Sequence, residues 1–238
     1  LNGSYTTDRQ NNVELGLRGK LRHDATGQPQ NIFNSNGDGT YFFSPGVAPT
    51  QSSPTAEWSF EWSINTDLAD TSGSPSRMLN AFSYVLGLDV DPSQGQNFTT
   101  FDPINDIEPV AGTVCWDHSM GTNTTGTDLG IETSGCRSSD PVVAAAAAVQ
   151  YGTNLATYSV AQNSWKPHWY FSPFDPTVDG TYSIYLAAFD GGTEVARTSI
   201  DIIVGAGGLP VPEPATIGLF GFGLAGLALA RRRRGKKA

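Results

Sequence analysis

Aromatic and polar residues alternate strictly over residues 57–64 (EWSFEWSI). Trp58, Phe60, Trp62 and Ile64 occupy every second position, and glutamate and serine fill the positions between them. Because successive side chains of a strand point to opposite faces of its sheet, the pattern predicts a half-buried β-strand. Such a strand needs neighbouring strands beside it and a second layer over its apolar face, which constrains the fold of the whole chain.

Other segments repeat the alternation. Met78–Val90 carries apolar residues at every second position from Phe82 onward, and 182–188 and 196–204 form a pair separated by a turn at Asp190-Gly191-Gly192. This last pair predicts a hairpin. Weaker patterns predict strands at 12–23, 40–44, 110–116 and 157–172.

One segment differs from these strands. Val142–Val149 contains five consecutive alanines and follows Asp140-Pro141, a favourable N-cap and first-turn pair. A short helix ending near Tyr151-Gly152 is therefore predicted. Together these patterns predict a mainly β fold, an antiparallel β-sandwich of roughly 9–11 strands (jelly-roll or immunoglobulin-like) with one short helix.

The charge of the chain is distributed unevenly. Residues 1–210 carry 8 basic and 22 acidic side chains, a net charge of −14, whereas six basic residues lie in the last eight positions. An acidic body repels phosphates and anionic lipid head groups, so we expect it to bind no nucleic acid.

Cys115 and Cys136 are the two cysteines of the chain. In an exported domain they predict one disulfide, with two unpaired thiols as the alternative.

The C-terminal segment 215–230 (ATIGLFGFGLAGLALA) has no charged residue and would form about 24 Å of helix, shorter than a ~30 Å hydrocarbon core. Arg231, Arg232, Arg233 and Arg234 follow it directly, and such a cluster stays on the cytoplasmic side. The flanking charges therefore predict a transmembrane helix at 215–230 and export of the preceding chain. A buried core helix is the alternative.

Directly before this segment stand Val211, Pro212, Glu213 and Pro214, which favour an extended and accessible backbone. This motif, the apolar stretch and the terminal arginines together resemble the PEP-CTERM sorting signal of Gram-negative bacteria. The resemblance implies that an exosortase in the inner membrane recognises the tail and cleaves near Pro212–Pro214. It also implies delivery to the cell surface or matrix and a link to exopolysaccharide and biofilm.

The phrases WSFEWSIN and AQNSW in the body are similar to β-rich ectodomains that precede such tails, for which no activity is implied. We expect an extracytoplasmic domain at 1–204, a linker with the sorting motif at 205–214, the membrane helix at 215–230 and a basic cytoplasmic tail at 231–238. Export also predicts a leader ahead of Leu1. The ectodomain would stand in the periplasm, tethered to the inner membrane, before it reaches the surface.

Metal and catalytic sites are weakly indicated. Asn34, Asn36 and Asp38 alternate as ligands do at the start of a calcium loop, but an EF-hand is excluded because Pro45 stands where its last ligand is needed. An Asx-rich turn is the plainer interpretation. No cofactor is expected apart from a structural calcium ion.

An enzyme is not expected, because the three histidines are far apart in sequence and no nucleophile motif is present. A polysaccharide-modifying enzyme would need carboxylates such as Asp102, Asp106 and Glu108 to converge. Trp165 and Trp169 lie beside a basic residue and could stack on sugars, with core packing as the alternative. We therefore expect a non-enzymatic, exported surface or matrix protein, with a carbohydrate-binding module as the second hypothesis.

Overall fold

The computed structural model describes residues 5–109, 111–126 and 129–209. Within these residues ten strands form two five-stranded sheets, here named sheet A and sheet B, and one α-helix lies outside them. In spatial order, sheet A contains β1 (Thr6–Gln10), β2 (Val13–Leu21), β4 (Trp58–Asn65), β8 (Val160–Trp165) and β7 (Ser119–Gly121). Sheet B contains β3 (Thr40–Phe43), β10 (Thr193–Val204), β9 (Gly180–Asp190), β5 (Ser83–Asp89) and β6 (Phe98–Phe101).

The hydrophobic core lies between the two sheets, since β2 of sheet A contacts both β9 and β10 of sheet B. The alternation read from the sequence sets which residues enter it. The core-facing residues of the strands with the clearest alternation are Trp58, Phe60, Trp62, Ile64, Tyr84, Leu86, Leu88, Tyr182, Ile184 and Leu186, and all are buried. The prediction of a mainly β protein is confirmed.

One strand pair departs from the antiparallel pattern. β3 runs parallel to β10, with Tyr41 opposite Ile202, whereas every other pair of named strands in the described residues is antiparallel. The chain crosses from sheet A to sheet B before β3, so no hairpin turn dictates the direction in which this strand enters. The prediction of a purely antiparallel sandwich was therefore wrong at this edge.

Strand β4 is buried along both faces rather than half-buried as predicted. It lies at the centre of sheet A between β2 and β8, with Trp62 opposite Leu17 on one side and Asn163 on the other. Its polar residues Ser59 and Glu61 face away from the core, yet they are also covered. Neighbouring segments therefore pack over the outer face of sheet A.

The predicted hairpin is confirmed as β9 and β10, with Gly191 and Gly192 at positive φ in the turn. Met78–Val90 is only partly a strand, because a 3₁₀ turn at Leu79–Ala81 precedes β5. The predicted strand at 110–116 is wrong for its described residues, which form turns and bends, and β1, β6 and β7 were not predicted. All three are edge strands of at most five residues, and none shows a clear apolar alternation.

The single helix of the described residues, α1 (Pro141–Leu155), is longer than predicted. It begins as expected, because the Asp140 carboxylate accepts a hydrogen bond from the Val142 amide at 2.9 Å. It continues through Gly152 because Tyr151 and Leu155 bury their side chains against the domain. Tertiary packing thus offsets the cost of a glycine inside the helix, about 1 kcal/mol.

The two cysteines form a disulfide, Cys115–Cys136, which confirms that prediction. Both are buried in the main core, and their bond links the segment after β6 to the loop that leads into α1. The loop that they close contains β7, the last strand of sheet A. The disulfide therefore ties one sheet edge to the helix.

The residues after β10 are bound to the domain, although a flexible linker was predicted to start at 205. The amides of Gly205, Ala206 and Gly208 donate hydrogen bonds to Phe43, Asp179 and Thr181, respectively. A Cβ on Gly208 would lie 2.5 Å from the Pro92 carbonyl oxygen, so close approach accounts for this glycine. The chain leaves the domain at Leu209, which is highly exposed.

The sorting motif Val211–Pro214, the predicted membrane helix at 215–230 and the arginines 231–234 lie outside the described residues. In the part of the chain that the structure describes, no helix has the length and apolar character needed to cross a membrane.

Candidate functional site

The outer face of sheet A contains a polar cleft of about 420 Å³. Strands β2, β4 and β8 form its floor, because residues at every second position on these strands point away from the core. Its lining is mainly charged, hydroxyl and amide side chains, including Tyr5, Glu14, Arg18, Ser63, Asn65 and Gln162. The sequence carries no signal for this cleft, because its residues come from strands that are far apart along the chain.

A charged network closes one part of the cleft. Glu61 forms salt bridges with Arg18 at 2.5 Å and with Lys20 at 2.9 Å. The guanidinium of Arg18 lies between the rings of Tyr5 and Phe33, at 4.1 and 4.2 Å from their centroids. Burial, reinforced by the negative charge of Glu61, raises the pKa of the Tyr5 phenol, so Tyr5 stays a neutral hydroxyl at neutral pH.

The opposite part of the cleft offers neutral donors and acceptors. Asn65 donates to the Asn123 side chain at 2.5 Å, and Asn123 in turn donates to the carbonyls of Asp67 and Asp70. Glu14, the acidic residue that lines the cleft, is paired with Arg9. Because the carboxylates of Glu14 and of the neighbouring Glu61 are both engaged by cations, the cleft is suited to binding a hydroxyl-rich ligand by hydrogen bonds rather than to transferring protons.

The two tryptophans proposed to bind sugars lie in different environments. Trp165 is 2% exposed and packs against Trp116 and Tyr170 in the core, so it cannot offer a ring face to a ligand. The inclusion of Trp165 in a surface site was therefore wrong. Trp169 is 46% exposed at the end of the 3₁₀ turn Pro167–Trp169, so its ring can contact a ligand.

The aromatic core also encloses His118, which is fully buried. Its Nε2 lies 2.6 Å from the Pro103 carbonyl oxygen, and its Nδ1 lies 3.0 Å from the Asn163 amide nitrogen. Burial lowers its pKa to about 4, so the ring is neutral at physiological pH. Asp117 bonds to Asn163 instead of to His118, so no relay forms between the adjacent Asp117 and His118.

The carboxylates suggested for a polysaccharide-modifying enzyme are engaged in structural bonds. Asp102 accepts hydrogen bonds from the amides of Tyr84 and Ile104, and Asp106 accepts one from the Asp102 amide. Glu108 is buried and forms a salt bridge with Arg137 at 2.5 Å. None of the three lines the cleft described above.

The proposed calcium residues form a turn. Asp38 accepts bonds from the amide and hydroxyl of Thr40, and the Asn34 side chain donates to the Phe42 carbonyl. Among the described residues, no group of three or more His, Cys, Asp or Glu side chains could hold a metal ion. A structural calcium ion at Asn34, Asn36 and Asp38 stays a prediction.

Comparison with known proteins gives one match. Searches of curated proteins and of solved structures return no match. A family model described as "PEP-CTERM protein-sorting motif" matches residues 210–234, which contain the four motif residues, the apolar stretch and the arginines. A motif of this kind implies export through the membrane and sorting by an exosortase to the cell envelope. The C-terminal segment of this chain, residues 210–234, is a PEP-CTERM protein-sorting motif.

Proposed function

We propose that this chain is a non-enzymatic surface or matrix protein of a Gram-negative bacterium, associated with exopolysaccharide and biofilm. The observation that carries the proposal is the sorting motif at residues 210–234. Before processing, the helix at 215–230 tethers the domain to the inner membrane, with Arg231–Arg234 in the cytoplasm and the domain in the periplasm. An exosortase then cleaves near Pro212–Pro214.

The described domain fits this role physically. A disulfide suits an oxidising compartment outside the cytoplasm. The exposed exit of the chain at Leu209 presents the following motif to an enzyme. The structural bonds of Asp102, Asp106 and Glu108 support a non-enzymatic role. A jelly-roll or immunoglobulin-like arrangement of the two sheets and a structural calcium ion also remain proposals.

Cell fractionation tests the sorting proposal. The triple variant P212A/E213A/P214A should remain full length in the membrane fraction, whereas the native chain should be shortened and reach the surface. Leu209→Ala, at an exposed residue just before the matched segment, is the control and should be processed normally. Full-length native protein in the cytosol would contradict the proposal.

Carbohydrate binding at the surface is the second candidate function. Two features favour it: the polar cleft on sheet A and the exposed ring of Trp169. Pull-down of the full chain with insoluble polysaccharides tests it. Gln162→Ala should weaken retention if the cleft binds, and Trp169→Ala if the ring does; absence of retention of the native chain rejects this function.

A further inference from the structure

The basic side chains of the described residues divide into two groups. Six of them form salt bridges with carboxylates: Arg9, Arg18, Lys20, Arg77, Arg137 and Arg197. For Arg22 and Lys166, no carboxylate among the described residues lies within salt-bridge distance. These two residues lie near each other in the fold.

The topology of sheet A brings them together. Arg22 directly follows β2, and Lys166 directly follows β8. Both strands lie beside β4 and run antiparallel to it, so their last residues lie at the same end of sheet A. In the strand register, Leu21 lies opposite Trp58, and Trp165 lies opposite Phe60. Two residues far apart in sequence therefore reach one corner of the sandwich.

Two histidines extend this group, although they are distant in sequence. His23 follows Arg22 and is 7% exposed; its Nδ1 contacts the Gly27 carbonyl oxygen at 3.2 Å, and its buried Nε2 has no partner among the described residues. His168 follows Lys166 closely, and its Nδ1 is likewise buried without a described partner. Both rings therefore lie at this corner, each with one nitrogen enclosed by the protein.

The charges of these groups also affect one another. Burial lowers the pKa of Lys166, and the positive charge of Arg22 lowers it further. Burial and the charge of Lys166 likewise lower the pKa of His168, with a smaller contribution from His23. The two cations repel each other, and among the described residues no carboxylate lies within salt-bridge distance of either. In a body with a net charge of −14, such uncompensated positive charge is an exception.

An exposed aromatic ring stands beside the charges. The Lys166 ammonium lies 5.8 Å from the centroid of the Trp169 ring, and the His168 ring lies 6.1 Å from it. The indole therefore provides a flat apolar surface next to hydrogen-bond donors. Arg22, His23, Lys166, His168 and Trp169 together are named the cationic patch.

We propose that the cationic patch binds a carboxylate-bearing sugar of an acidic polysaccharide. Arg22 and Lys166 pair with the carboxylate, and Trp169 packs against the apolar face of the sugar. The acidic surroundings disfavour a densely charged surface such as an anionic bilayer, whereas a polymer with one charge per sugar can approach. The inference rests on the second proposed function and names its ligand class.

Affinity electrophoresis of the purified full chain tests the proposal, with polygalacturonate as the acidic probe and dextran as the neutral one. The native chain should bind polygalacturonate, and added salt should weaken binding. Lys166→Gln should reduce affinity about tenfold, equivalent to one charge-assisted hydrogen bond, and Lys166→Arg should retain it. Trp169→Ala should reduce it by a similar factor.

Arg197→Gln is the matched control, since it removes a surface charge on the other sheet and should leave binding unchanged. Binding of dextran alone would overturn the inference but leave carbohydrate binding intact. Binding of neither polymer would overturn both. Polygalacturonate binding that is unaffected by Lys166→Gln and Trp169→Ala would overturn the assignment to this patch. Binding to phosphatidylglycerol vesicles without polygalacturonate binding would also overturn it.

Discussion

At the residue scale, His118 links stability to pH. The folded protein holds its ring neutral, with a pKa of about 4, whereas the unfolded chain has an ordinary value near 6.5. Between these values the unfolded state binds a proton that the folded state does not. The stabilisation is therefore fully present above about pH 6.5 and is lost as the pH falls toward 4.

We expect the free energy of unfolding to fall by about 3 kcal/mol between pH 7 and pH 4 because of this residue. Urea unfolding at several pH values measures the loss. His118→Gln should be less stable at pH 7 but should show a flatter pH dependence of stability. His168→Gln removes a partly exposed ring and should keep most of the native pH dependence. An unchanged slope in the His118 variant would contradict the prediction.

Trp165 and Trp169 should respond differently to truncation. Trp165→Ala leaves a large cavity in the core and should cost about 3–5 kcal/mol of unfolding free energy. Trp169→Ala should cost less than about 1 kcal/mol, because nearly half of its surface is already in water. Thermal or urea unfolding distinguishes them, and equal losses would refute the burial difference on which the cationic patch depends.

At the element scale, the disulfide connects the segment that precedes the edge strand β7 to the loop before α1. Reducing Cys115–Cys136 should lower the unfolding free energy by about 3 kcal/mol, the chain-entropy value for a loop of roughly 20 residues. Unfolding with and without dithiothreitol measures this change. A double Cys→Ser variant should match the reduced protein and be insensitive to dithiothreitol; equal stability with and without the bond would show that it contributes nothing.

The sequence predicted those elements whose pattern is long and regular. The eight residues of β4 and the β9–β10 hairpin could be recognised because alternation and turn residues agree. The three residues of β7 are too few to show a period. The end of α1 could not be predicted, since it depends on the tertiary burial of Leu155.

The candidate site was less predictable than the strands. Glu14 and Ser63 meet in the cleft, and Arg22 and Lys166 meet in the cationic patch, only because of strand order and register. A single sequence carries no direct record of those pairings. The tail was predictable because its residues are contiguous and their order itself defines the motif.

At the scale of the whole molecule, the docking of residues 205–208 controls access to the end of the domain. Gly208→Val would place side-chain atoms against Pro92 and Ser93 and should release the segment. Proteinase K should then cut the full chain faster near residue 208, as measured by mass spectrometry. Gly152→Ala, where added atoms meet open space, should not change the rate. Equal cleavage of both variants would contradict the prediction.

In the membrane-tethered form that we propose, this docking also sets the distance between the domain and the bilayer. If the membrane helix starts at Ala215, five residues (210–214) separate it from Leu209, and five residues span at most about 18 Å when fully extended. The proposed exosortase would then act within that distance. Releasing residues 205–209 would about double it, so the hydrogen bonds that hold this segment to the domain would set the room available for cleavage.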